Sequence, residues 1–286
     1  MIFLLFFLLY NIFLIICNPK ITRFQNQWQK NYATAQEFIY EEKTQSIIVG
    51  SSLSARLIKN ILPSDCYNLS FSGGSTFTGL ELIKRTGYTP KHIFIETNFI
   101  FRGKDTKMLN NLFYPIWWEI KKHIPALREK FQPLNVLYSN NKCYTKPSRK
   151  RKESKNRKTK KNLDNLKSTK SFKLSFTNQK QSFQKKLNYK YQLKDLKRLI
   201  TYFETKGTKV IFYEMPIEKS LSDSPKAKNI RNILKTTFKN KWLPFPKHEN
   251  YFTTDSIHLH SYSAWVYTRE FLKNIDIALP GTMHNH

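Results

Sequence analysis

Four short stretches of this 286-residue chain carry residue types suited to acyl transfer. Gly50-Ser51-Ser52-Leu53, with Ser54 beside it, offers hydroxyls next to a glycine. Asn68 precedes Ser72-Gly73-Gly74. Glu96-Thr97-Asn98 pairs a carboxylate with an amide, and Asp255-Ser256-Ile257-His258 sets a carboxylate three residues before an imidazole. A hydroxyl becomes a nucleophile when a base lies within hydrogen-bond reach, and the base needs a carboxylate to orient it. The oxyanion that develops needs donors already in place. Backbone amides beside glycines and an Asn side chain can supply them.

The elements around these stretches predict where they sit. Ser46–Gly50 is a short apolar run ending in Gly and reads as a buried strand. Helix is expected over Ser52–Asn60, then a strand over Cys66–Phe71, a helix over Thr76–Gly87 and a strand over His92–Thr97. Leu193, Leu196, Leu199, Ile200 and Phe203 give Tyr191–Lys206 a helical stripe, closed by Gly207. Lys209–Met215 reads as a fourth strand, stopped by Pro216, with helices over Lys226–Lys239 and Ser261–Asn274. Strand and helix alternate, which implies an α/β fold with a mainly parallel sheet covered on both faces. Ligands of such sheets bind at the carboxyl ends of the strands. Three of the four stretches follow strand ends directly.

These blocks resemble the SGNH/GDSL hydrolase superfamily. Gly50-Ser51-Ser52-Leu53 is similar to its Gly-Asp-Ser-Leu block, with Ser51 where Asp is usual. Asn68-Leu69-Ser70-Phe71-Ser72-Gly73-Gly74 is similar to the second block. Glu96-Thr97-Asn98 is similar to the third, with Glu96 for the usual Gly and Phe99 for the usual trailing Asp. Asp255-x-x-His258, followed by a helix, resembles the fifth. The resemblance spans about Thr44–Ile275, interrupted by a basic segment. It implies Ser52 as nucleophile, His258 as base and Asp255 as its orienting group. It also implies an oxyanion hole from the amides of Ser52 and Gly73 and the side chain of Asn98. The implied fold is a three-layer αβα sandwich of flavodoxin type. The superfamily has members with amino-terminal anchors, Gly-Ser-Ser first blocks and roles in acylating cell-surface polymers, and the chain looks more like that branch than like compact soluble esterases. No metal or organic cofactor is implied.

Each residue also has a plainer reading. Ser52 at a strand-to-helix turn suits a helix N-cap, and Ser51 or Ser54 takes its place if the register is off by one or two. Asp255 suits a helix entry with His258 exposed, and His260 lies nearby outside the matched spacing. Gly73 and Asn98 suit turns. Glu96 and Glu214 near strand ends suit structural roles. Trp117 and Trp118 suit sugar stacking, membrane contact or a packed core.

Composition sets the outer limits. The chain is 40% hydrophobic and 15% aromatic, enough for a core and unlike a disordered chain. Three scattered cysteines (Cys17, Cys66, Cys143) exclude a disulfide-stapled scaffold or a Cys-rich zinc module, and leave a Cys66–Cys143 bridge open. The net charge is +29, and residues 141–190 carry 18 Lys and Arg against two acids. That segment reads as a solvated, flexible insertion. Contact with an anionic surface or glycan is a second reading, and nucleic acid a third, disfavoured because no fold motif or regular aromatic interleaving accompanies the charge.

Ile2–Cys17 is apolar apart from Asn11, close to the lower limit of about 17 residues for a spanning helix. No basic leader precedes it and no small-x-small cleavage site follows, so an uncleaved anchor is expected ahead of a cleaved signal and secretion. Lys20 and Arg23 argue by charge bias for a cytoplasmic body, whereas the resemblance implies an extracytoplasmic one. The expected divisions are residues 1–20 (anchor), 21–43 (stalk), 44–140 with 191–278 (αβα domain) and 141–190 (insertion). The expected activity is ester hydrolysis or acyl transfer on an O-acyl, chiefly acetyl, ester of a cell-surface glycan. The alternatives are a non-catalytic component of a polysaccharide-modifying membrane complex and a polyanion binder acting through the Lys-rich segment.

Overall fold

The computed structural model describes residues 1–41, 44–140, 170–184, 189–239 and 241–279. Four strands form one all-parallel sheet: β1 (Ser46–Gly50), β2 (Cys66–Ser70), β3 (His92–Glu96) and β4 (Lys209–Tyr213), in the order β2-β1-β3-β4. This order, with flanking helices, is consistent with a flavodoxin-like fold. Every residue of β1 and β3 is buried. Covering on both faces is why these strands read as continuous apolar runs rather than as alternation.

Register brings the strand ends level. Val49 pairs with Leu69 on one side and Ile95 on the other, and Gly50 pairs with Ser70. The polar residues that follow β1, β2 and β3 therefore emerge along one edge of the sheet. On one face Ile48, Phe94 and Tyr213 pack with Tyr267, Phe271 and Ile275 of the closing helix Ser261–Ala278. Burying a side chain such as Phe271 contributes about 1.5–3 kcal/mol. Helix Thr76–Thr86 approaches so closely that a Cβ at Gly79 would stand 2.9 Å from Val49 Cγ1.

Contacts divide the chain into two compact units, one of residues 1–43, 81–88 and 105–146, the other of 44–80, 89–104 and 147–286. In the first, Ile2–Cys17 is a 16-residue helix. Its lone amide, Asn11, accepts from the Ala126 amide at 3.1 Å, Tyr10 donates to the Phe131 carbonyl at 2.5 Å, and Leu14 is buried with Phe131 and Val136. No helix among the described residues is long and apolar enough to cross a membrane. Residues 27–40, suggested as a stalk, form a helix capped by Asn26, with Tyr32 and Phe38 buried in the same unit. Trp118 stacks on Phe113 at 4.8 Å, whereas Trp117 is half exposed.

Two expectations change. Ser52–Asn60 holds only a 3-10 turn, Ser54–Arg56. The Ala55 amide bonds the Ser51 carbonyl at 3.2 Å, but Leu57 turns to ψ 138° and the Ile58 amide, which an α-helix would direct to the Ser54 carbonyl, donates to Thr268 Oγ1 at 3.1 Å. Within the Lys-rich segment, residues 141–169 and 185–188, with Cys143 among them, lie outside the described residues. Lys170–Gln184 is a helix, not a flexible stretch, with Phe172 and Phe183 buried and Phe176 packed on the core. Phe172, Phe176 and Phe183 share a helical stripe that the charge count concealed.

Candidate active site

The loop after β1 and the loop before the closing helix meet through one chain of hydrogen bonds. His258 Nε2 lies 2.8 Å from Ser52 Oγ, and His258 Nδ1 lies 2.6 Å from Asp255 Oδ2. All three residues are partly exposed, so the chain is open to a ligand.

The three-residue spacing works because Asp255 uses both oxygens on one residue. Oδ2 takes the ring, while Oδ1 accepts from the backbone amide of His258 at 2.8 Å. Thr254 donates to the His258 carbonyl at 2.8 Å, and Thr253 and Leu259 form a bridge, closing the loop below. Ser256 completes the turn with φ +73°, a left-handed conformation unusual for a side-chain-bearing residue. Burial pushes the Asp255 carboxyl up, but hydrogen bonds from the His258 ring and backbone outweigh it and hold the group below its ordinary value. Asp255 is thus ionised at neutral pH and keeps the His258 proton on Nδ1, leaving Nε2 as the acceptor facing Ser52.

The neighbouring serines do a different job. Ser51 Oγ donates to Glu96 Oε1 at 2.7 Å, and Ser54 Oγ donates to Glu96 Oε2 at 2.5 Å. Tyr213 donates to Ser54 Oγ at 2.6 Å, and Asn68 Nδ2 donates to the Ser54 carbonyl at 2.8 Å. Burial, helped by the Glu96 charge, pushes the Tyr213 phenol well above its usual value, so it stays a donor. Of the three hydroxyls, it is Ser52 that faces the imidazole. No N-cap bond uses it: Ser54–Arg56 has no side-chain cap. His260 caps the closing helix by accepting from Tyr262 at 3.3 Å.

The expected oxyanion donors are placed less uniformly. Gly73 has φ +70° in a turn closed by the Gly74 amide on the Phe71 carbonyl, a conformation that suits glycine. Asn98 binds the backbone of Met215 at both ends, donating from Nδ2 at 2.9 Å and accepting at Oδ1 at 2.8 Å. Its oxyanion role therefore depends on the second Nδ2 hydrogen.

A second Ser-His-Glu grouping was not visible in the sequence. Ser222 Oγ lies 2.8 Å from His248 Nε2, and Glu214 Oε1 lies 3.2 Å from the same nitrogen. His248 Nδ1 accepts from the Ile217 amide at 3.2 Å, so the neutral ring carries its proton on Nε2. That nitrogen donates and cannot act as a base toward Ser222. Arg231 clasps Glu214 with two bonds of 2.6 Å and also donates to Ser222. Burial pushes Glu214 up, yet the bonds from Arg231 and His248 hold it below its ordinary value. The grouping is a structural anchor beneath the end of β4. Pairs this distant in sequence leave no spacing signal.

No protein-family model matches the chain, and neither a curated protein nor a solved structure matches it.

Proposed function

We propose that the chain is a serine-dependent ester hydrolase or acyltransferase of the SGNH type, built on a three-layer αβα sandwich. The observation that carries this reading is the Asp255–His258–Ser52 hydrogen-bond chain, at 2.6 and 2.8 Å, at the carboxyl edge of a parallel sheet. As Ser52 Oγ attacks an acyl carbon, His258 Nε2 takes its proton and the carbonyl π pair moves onto oxygen. Collapse of the tetrahedral intermediate expels the alcohol, which leaves with the proton from His258. A water or a sugar hydroxyl then attacks the acyl-serine, His258 again taking and returning one proton. Water gives hydrolysis and a sugar gives transfer. The amides of Ser52 and Gly73 and the free hydrogen of Asn98 Nδ2 are the proposed oxyanion donors.

The proposed substrate is an O-acyl, chiefly acetyl, ester of a cell-surface glycan, with the catalytic unit held extracytoplasmically at a membrane. Support for the membrane comes from helix Ile2–Cys17, in which Ile2, Phe3, Phe6 and Ile16 are all more than 60% exposed. Exposed apolar area of this kind favours a lipid surface. The test is labelling by a fluorophosphonate probe. Wild type is expected to label and Ser52→Ala to lose all labelling, while an unlabelled, folded wild type would overturn the enzyme reading. The clasp of Asn98 on Met215 favours one second reading, a non-catalytic binding component. It predicts no labelling, with glycan retention in a pull-down.

A further inference from the structure

We propose that Glu96 is the positioning residue of the nucleophile loop, its carboxylate clamping Ser51 and Ser54 so that Ser52 between them presents Oγ to His258. This inference rests on the reading of Ser52 as nucleophile.

Glu96 is 1% exposed and sits at the end of β3, one residue beyond the Val49–Ile95 pair. Its carboxylate therefore arises beside Gly50, where the nucleophile loop leaves β1. Four donors converge on it. Oε2 accepts from the Ser51 amide at 2.8 Å, the Ser54 amide at 3.1 Å and the Ser54 hydroxyl at 2.5 Å, and Oε1 accepts from the Ser51 hydroxyl at 2.7 Å. The carboxylate takes the amides of Ser51 and Ser54, on either side of the Ser52–Leu53 pair, and not that of Ser52 itself. The amide of the nucleophile is thereby left to an oxyanion.

The direction of each bond is fixed. A hydroxyl has one hydrogen to give. Ser54 gives its own to Glu96 and accepts from Tyr213. Ser51 gives its own to Glu96 and accepts from the Leu53 amide at 3.2 Å. Only an acceptor-only group satisfies all four donors, because an amide accepting in the Oε2 place would turn its NH2 onto the Ser51 hydroxyl. The close approach also explains the glycine ahead of the loop. A Cβ at Gly50 would lie 2.6 Å from both Glu96 Oε2 and Ser54 Oγ.

The experiment measures fluorophosphonate inactivation of the full chain, separating the maximal rate from the probe concentration at half-maximal rate. It is run well below melting, with thermal melts recorded alongside. Wild type against Ser52→Ala first establishes the nucleophile. If wild type does not label, the reading of Ser52 fails and the inference falls with it. If wild type labels, Glu96→Gln is expected to lower the maximal rate about 10- to 100-fold while the half-maximal concentration moves less than about 2-fold, the signature of a displaced nucleophile. Glu96→Asp keeps the charge and shortens the reach, and serves in the same way should Glu96→Gln not melt cooperatively. Ser51 Oγ and Glu96 Oε1 are 2.7 Å apart, so a carboxylate can also be based on the loop side. Ser51→Asp in a Glu96→Gly background is therefore expected to recover at least about 10-fold of the rate lost by Glu96→Gly alone. Folded Glu96 variants that label within about 2-fold of wild type would assign Glu96 to stability alone and overturn the inference.

Discussion

Asp255→Asn separates orientation from charge at the proposed base. The aspartate accepts two hydrogen bonds from one residue, the His258 backbone amide at 2.8 Å and ring Nδ1 at 2.6 Å. Asparagine has one acceptor and one donor for those two places. The backbone amide cannot change its hydrogen, whereas the ring can change tautomer. The Asn carbonyl therefore stays on the backbone and its NH2 faces Nδ1, which must become an acceptor. The ring proton moves to Nε2 and points at Ser52, so His258 no longer accepts. Loss of the correct tautomer in serine-protease triads lowers turnover about 10,000-fold, about 5 kcal/mol of barrier. The fold changes little, because the backbone bond survives and the Asp255 side chain is 37% exposed, which screens its charge. The expected result is a melting temperature within a few degrees of wild type, with kcat on a p-nitrophenyl acyl ester reduced about 10,000-fold. Turnover within about 10-fold of wild type would refute the orienting role.

Two further perturbations probe the scaffold. Glu214 is held below the ordinary carboxylate value by Arg231 and His248. Its ionised form therefore stabilises the fold above that ordinary value, about pH 4, and the contribution is lost as pH falls through the lower folded value. Glu214→Gln is expected to lower the melting temperature at pH 7 by removing one side of a buried pair, and to show a smaller further loss than wild type on acidification to about pH 3. Equal acid losses in melts of the two proteins would contradict this. Gly50→Ala is expected to cost about 1–3 kcal/mol, because the added carbon meets Glu96 and Ser54, and to slow fluorophosphonate labelling. Gly103→Ala, with nothing within 4 Å of its Cβ, is the control, and denaturant midpoints that fall equally for both would remove the steric explanation.

The parts of the fold legible in the sequence were those set by local pattern. Ile47, Ile48 and Val49, then Ile93, Phe94 and Ile95, are runs that both faces of a parallel sheet bury, and they appear as strands. Gly207 ends its helix with φ +84° as its position suggested. The misreadings came from contacts across long sequence separations. The helix expected after Ser52 is cut short where the Ile58 amide, which would continue it, donates to Thr268, 210 residues away. Lys170–Gln184 was masked by its lysines although its phenylalanines have helical spacing. Asn98 stood at a strand end as an amide to spare, and only the approach of Met215, 117 residues on, shows where it is directed.

The site itself was legible as a set of strand ends, but its departures read differently once folded. In sequence, Ser51 for Asp and Glu96 for Gly look like two separate losses from the motifs the chain resembles. In space the two residues are in contact. The carboxylate enters from β3, and Ser51 on the loop after β1 supplies a hydroxyl that donates to it. A carboxylate at 51 together with Glu96 would put two buried negative groups within hydrogen-bond distance, where like charges cannot both stay ionised. A serine at 51 with glycine at 96 would leave the Ser51 and Ser54 amides without the acceptor that now holds them. Ser51 and Glu96 therefore make sense only as a pair. The same contacts account for Gly50: a Cβ there would stand 2.6 Å from Glu96 Oε2 and Ser54 Oγ, so the carboxylate entering from β3 requires glycine ahead of the loop for steric reasons that hold whether or not Ser52 reacts.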